Sequence, residues 1–125
     1  MPTPSGSLVR IGALLGFIGV AAGTFGAHGL QGFTDDPQRI DWWRTGVLYH
    51  LVHALAVLAA GLVAAAPAGE GRAPRIAGWS FAFGTLIFSG TLYAMALGAP
   101  RWLGAITPLG GVGFLVGWAA LARAR

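Results

Sequence analysis

Residues 45–66 read TGVLYHLVHALAVLAAGLVAAA, twenty-two residues in succession without a charged side chain. At 1.5 Å of rise per residue this stretch makes a helix about 33 Å long, enough to cross a hydrocarbon core of about 30 Å. Inside lipid the backbone must satisfy its own hydrogen bonds, so a helix is the state this stretch can adopt there. Tyr49, His50 and His53 interrupt its apolar character. Polar side chains in a spanning helix turn toward the interior of a helix assembly, so this helix is expected to have neighbours.

Working outward, the eight arginines and four acids all fall outside four windows: Ile11 to about Leu30, Thr45 to Ala66, Ile76 to Leu97 and Trp102 to Ala122. Each is long enough to span, which predicts an all-α, four-transmembrane-helix antiparallel bundle filling residues 1–125 as a single integral membrane domain. Hydrophobic residues make up 55% of the chain and charged residues 10%, against about 25% charged in a soluble domain. The surplus apolar surface needs lipid around it. Gly32 to Arg39 and Pro67 to Arg75 read as polar turn-forming connectors, and the short Gly98-Ala99-Pro100-Arg101 forces the last two helices into a hairpin.

The aromatic residues divide by window end. Trp42, Trp43, Tyr93 and Trp102 stand at one side, Trp79 and Trp118 at the other, as two interfacial belts would. The first window carries Gly12, Gly16, Gly19, Gly23 and Gly26, a stripe at helical spacing that lets a neighbouring helix approach closely. Gly110, Gly113 and Gly117 repeat the device in the fourth window. The glycine stripe extends beyond any plausible cleavage point, which argues against the competing reading of the first window as a signal peptide.

Alternating spans bring the uncommon polar residues to one half of the assembly: His28, Tyr49, His50, His53, Ser89, Thr91, Tyr93 and Thr107. His50 and His53 are three apart on one helix, and His28 is expected to approach them from the helix before. One reading is interhelical hydrogen bonding among these side chains and backbone carbonyls. Another is a metal site on His28, His50 and His53, or a haem, since neutral imidazole ligates transition metals. Pro108 lacks an amide proton and clashes with the carbonyl of Gly104, so the fourth helix should kink or start late.

Other classes of function find little support. Arginines scattered singly or in pairs are a poor nucleic-acid footprint, and the absence of cysteine removes disulfide and thiolate chemistry. There is no nucleophilic triad, phosphate-cradling loop or pair of intramembrane carboxylates, so no enzyme is expected and no cofactor is required.

The chain resembles a known family at Phe25-Gly26-Ala27-His28-Gly29-Leu30, at Trp43 with Tyr49-His50 and His53-Ala54-Leu55, at Phe88-Ser89-Gly90-Thr91-Leu92-Tyr93, and at Arg101 through Gly111. That family is the small four-helix membrane proteins catalogued as domain of unknown function 423, with bacterial inner-membrane members and animal relatives called transmembrane protein 256. The resemblance implies a multi-pass membrane protein and brings no activity to these residues.

The expected role is a structural or accessory membrane component that packs against itself as a homo-oligomer or against a larger membrane complex. A small-solute transporter or channel and a histidine-based metal or haem protein are the alternatives. Arg10, Arg72, Arg75, Arg123 and Arg125 on one side outnumber Arg39, Arg44 and Arg101 on the other, which predicts that both termini face the cytoplasm.

Overall fold

A computed structural model of the chain describes residues 3–67 and 71–124, so Arg125 and Ala68, Gly69 and Glu70 of the second connector lie outside the described residues. Helices Pro4–His28 (α1), Pro37–Ala65 (α2), Ala73–Ala96 (α3) and Thr107–Ala122 (α4) run in alternating directions, and there is no strand among the described residues. Two short 3-10 turns, Leu30–Gly32 and Arg101–Ala105, follow α1 and precede α4. Each span, the fourth counted from Arg101, is long and apolar enough to cross a membrane.

Proline sets the start of every helix, standing in the first turn of each as Pro4, Pro37, Pro74 or Pro108. There its fixed φ suits the helix and its missing amide proton has no partner to lose. Asp36 caps α2 by accepting from the Gln38 amide at 2.9 Å, so α2 begins eight residues before Thr45. Its first two turns carry Arg39, Asp41 and Arg44, ahead of the uncharged stretch suited to the hydrocarbon core. Pro108 produces no kink inside a longer helix. The 3-10 turn ends and α4 begins at Thr107, the late start that the missing donor favours.

The helices pack in chain order, α1 along α2, α2 along α3 and α3 along α4, with α1 touching α3 more lightly. At one end Leu8, Ala56, Val57, Ala60, Ala77, Phe81 and Ala82 form a buried apolar cluster, and at the other Leu30, Trp43 and Ala96 form a second. The outward face is as apolar as the core: Phe17 is 76% exposed and Leu115 70%. In lipid, burying such residues brings little solvent gain, so close packing and interhelical hydrogen bonds hold the helices together.

Glycine provides that closeness unevenly. A Cβ on Gly12 would stand 2.8 Å from the Leu58 amide nitrogen, one on Gly19 2.7 Å from the Leu51 side chain, and one on Gly26 2.6 Å from the Trp43 ring. Gly23 meets Val47 in ordinary contact at 3.4 Å. Gly16 departs from the expected stripe, because a Cβ there meets nothing within 4 Å. By the register of its neighbours it falls opposite Ala54, whose small side chain leaves the space. In the second stripe Gly110 sits against the Phe88 backbone at 2.5 Å, Gly113 against Gly84 at 3.3 Å and Gly117 against Phe81 at 2.5 Å, so α3 and α4 cross closely.

Candidate functional site

His53 lies at the meeting of α2 and α4. Trp118 Nε1 donates to His53 Nε2 at 3.1 Å, and the Phe114 ring stacks on the imidazole with centroids 3.6 Å apart. An indole N–H can only donate, so Nε2 presents its lone pair. The proton is therefore on Nδ1, which donates to the Tyr49 carbonyl at 2.8 Å. This fixes a neutral imidazole with both nitrogens in use. His53 is nine residues along α2 from Arg44, or ~13 Å, well inside the uncharged stretch 45–66.

His50, one turn earlier, faces different neighbours, because three residues along a helix turn a side chain by about 60° from alignment. Its Nδ1 is 2.8 Å from the Tyr93 hydroxyl on α3. Its Nε2 is buried and faces α1 near the Leu15 carbonyl without reaching hydrogen-bond geometry. The tautomer with the proton on Nε2 suits both sides. Tyr93 then donates to the Nδ1 lone pair, and the N–H faces a carbonyl rather than placing a lone pair against it. Gly19 makes the approach possible, since a Cβ there would meet His50 Cδ2 at 3.2 Å.

The hydroxyls use the same logic. Ser89 donates from α3 to the Gly46 carbonyl of α2 at 2.7 Å, and Thr91 and Thr107 join α3 to the start of α4 at 2.6 Å. Thr91 also bonds back to the Ile87 carbonyl at 2.7 Å, so its oxygen has an acceptor and a donor role to fill. Tyr49 is partly exposed, with its ring against Phe88 at 4.7 Å.

The expected single cluster is therefore divided. The structure joins His50 with Tyr93, His53 with Trp118, Ser89 with Gly46, and Thr91 with Thr107. It does not bring His28 to them: His28 is the last residue of α1 and is exposed. His50 and His53 occupy the middle of α2.

These positions do not fit the metal site anticipated on three histidines. Among the described residues no group of three His, Asp or Glu side chains stands close enough to hold a metal ion. His53 has no lone pair left to offer while Trp118 donates to it. The same occupation removes His53 as a haem ligand.

Two residues important to this interior, Trp43 and Trp118, were expected in the aromatic belts. Trp43 is buried, donates to the Ala22 carbonyl at 2.8 Å and lies against Tyr93 with ring centroids 4.5 Å apart. Tyr93 likewise turns inward. Trp118 keeps a half-exposed ring but directs its N–H inward. The available signal was spacing: Trp118 lies four residues from Phe114 and shares its helix face.

Comparison with known proteins places this arrangement. The family described as Protein of unknown function (DUF423) matches residues 22–111, from the end of α1 into α4. The chain is 41% identical over 110 residues to UPF0382 membrane protein YwdK of Bacillus subtilis, covering 88% of each. It is 42% identical over 115 residues to UPF0382 inner membrane protein YgdD of Escherichia coli, covering 87% of this chain and 81% of the relative. A UPF0382 membrane protein of Haemophilus influenzae is 42% identical over 110 residues, covering 88% and 86%. No solved structure matches. With four apolar helices and relatives of this kind across most of its length, the chain is a multi-pass membrane protein that belongs to the DUF423 family, whose molecular function is unknown.

Proposed function

We propose that the protein is a non-catalytic structural or accessory component of the bacterial inner membrane, acting through helix packing with further copies of itself or with a larger membrane complex. The observation that carries this reading is the use of the intramembrane polar groups. His53 Nε2, the Ser89 hydroxyl and the Thr91–Thr107 pair are engaged by neighbouring helices, and His53 Nδ1 by the Tyr49 carbonyl one turn back on α2. A transport path needs polar groups that exchange partners with a passing solute. Here, His50 Nε2 apart, they are taken up by a neighbouring helix or by the carbonyls of their own.

The inner-membrane assignment is supported by the name of the Escherichia coli relative. Arg10, Arg72, Arg75 and Arg123 at one end, joined by Arg125 in sequence, outnumber Arg39, Arg44 and Arg101 at the other. That bias favours cytoplasmic termini, and no nucleic acid is involved.

Crosslinking in intact membranes, followed by extraction in mild detergent and identification of stoichiometric partners, tests the proposal. A reproducible homo-oligomer or a defined membrane-protein partner is the expected result. A monomer that supports solute flux in liposomes, with Trp118→Phe or Ser89→Ala altering that flux, would overturn it.

A further inference from the structure

Between the end of α1 and the beginning of α2 lies an open groove of about 570 Å³. Arg44 and Gln31 line its water-facing end, and Val47, Leu48 and Leu51 continue it toward the hydrocarbon core along α2. Gly23, Gly26 and Ala27 form the α1 wall. Arg44, Leu48 and Leu51 are spaced four and three apart, so charge and apolar surface belong to one continuous helix face. Side chains on a helix tilt toward its N-terminus, which carries the Arg44 guanidinium outward to the headgroup level while its stem remains on the groove.

The two other arginines at this end of the molecule have different roles. Arg39 Nε donates to the Ala96 carbonyl at 2.8 Å, and Arg101 lies 5.7 Å from the centre of the Trp42 ring. Gln31 is held over α1 by an amide donation to the Gly26 carbonyl at 3.3 Å, which leaves its second amide proton for another acceptor. Asp41 stands one turn nearer the water than Arg44.

From this gradient of one cation, one amide and a descending apolar wall, we infer that the groove binds an anionic phospholipid, with its phosphate on Arg44 and an acyl chain along Val47, Leu48 and Leu51. Guanidinium matches a phosphate oxygen pair with two parallel donors, whereas a zwitterionic lipid brings its own cation to the same place. The apolar wall distinguishes the lipid from a soluble phosphate, which would gain nothing from Leu48 or Leu51.

The test uses the full chain, delipidated in detergent and titrated with phosphatidylglycerol, phosphatidylcholine or glycerol phosphate while thermal unfolding is followed. Phosphatidylglycerol should raise the unfolding temperature, phosphatidylcholine should do so less, and glycerol phosphate should leave it unchanged. Arg44→Gln should weaken the phosphatidylglycerol response about fivefold in concentration, the scale of one basic side chain at an anionic surface. Ala27→Phe, which fills the groove from its exposed wall, should reduce the response to lipid while Arg44 remains. Arg123→Gln, at the opposite end of the molecule, should keep the full response.

Equal responses to the two lipids, an undiminished response in Arg44→Gln or Ala27→Phe, or an equal loss in Arg123→Gln would overturn the inference. If Arg44→Gln does not fold, native mass spectrometry of the unmodified and Ala27→Phe proteins decides the matter. Preferential retention of phosphatidylglycerol by the unmodified protein alone supports the site, and equal retention removes it.

Discussion

Trp118 on α4 and His53 on α2 are 65 residues apart in sequence and 3.1 Å apart in space, and their hydrogen bond fixes the imidazole as the Nδ1-protonated neutral tautomer. Trp118→Phe keeps an aromatic ring beside Phe81 but leaves His53 Nε2 without its donor. A lost buried partner costs about 1–3 kcal/mol in proteins generally, while measured interhelical bonds in membranes average about 0.6. We expect about 1 kcal/mol here, read as a lower unfolding temperature in detergent. The double variant Trp118→Phe, His53→Phe should lose less than the sum of the two single variants, because the second change removes the stranded group.

The glycine seams yield a contrast, with Gly12 and Gly16 on α1 and Gly110 on α4. Gly12→Ala places a methyl group 2.8 Å from the Leu58 backbone, and Gly110→Ala places one 2.5 Å from the Phe88 backbone, where no side chain can swing aside. Both should destabilise by about 1–3 kcal/mol through forced helix separation. Gly16→Ala enters open space and should be neutral or stabilising by roughly 0.5–1 kcal/mol, since alanine loses less backbone entropy in a helix. Detergent thermal melts of the three variants check the order. Damage at Gly16 equal to that at Gly12 would contradict the seam.

That contrast also marks the boundary between what sequence and structure each reveal. Gly12, Gly16, Gly19, Gly23 and Gly26 share a face by spacing alone, but spacing does not name the residue opposite. Gly16 loses its role because its register partner is Ala54. The spans themselves are legible from uncharged length, and the late start of α4 from Pro108, because both follow from local backbone chemistry. Azimuth and depth are tertiary properties. His28 shares a membrane half with His50 by connectivity, yet it ends α1 on the exposed side. Trp43 and Tyr93 look like belt residues by position, although their rings pack on each other inside.

Tyr93→Phe removes the hydroxyl that meets His50 Nδ1 at 2.8 Å while keeping the ring against Trp43. His50 is then left with neither nitrogen in a hydrogen bond, so stability should fall by about 1 kcal/mol or somewhat more. His50→Leu in the same background should recover part of the loss, because an apolar group needs no partner in that pocket. Thermal unfolding of the single and double variants measures the recovery.

Topology is tested independently of stability. If the arginine bias sets orientation, a C-terminal fusion to a phosphatase that matures only outside the cytoplasm should be inactive, and a cytoplasmic fluorescent fusion should be bright. Replacing Arg72, Arg75 and Arg123 with glutamine together reverses the bias to three against two and should yield a mixed or inverted population. An active phosphatase fusion on the unmodified chain would refute the assignment.

The last prediction concerns how the headgroup end of α2 is tied to α3. α3 ends at Ala96, and the carbonyls of a helix's last turn have no intrahelical partner. Ala96 is fully buried, so water cannot readily replace that partner, and Arg39 Nε supplies it at 2.8 Å across 57 residues of sequence. The guanidinium also places positive charge at the negative end of the α3 dipole. Arg39→Met preserves much of the side chain's length and removes both effects. It should cost about 1 kcal/mol, less than a fully buried charged bond because Arg39 is itself partly exposed. Arg39→Lys retains the charge without the rigid planar donor and should fall between the two. Because the lost contact secures the α3 end, amide exchange should rise first at Leu97, Gly98 and Ala99 and stay unchanged near His53. An even rise along all four helices would mean that Arg39 acts on global stability instead of on this junction.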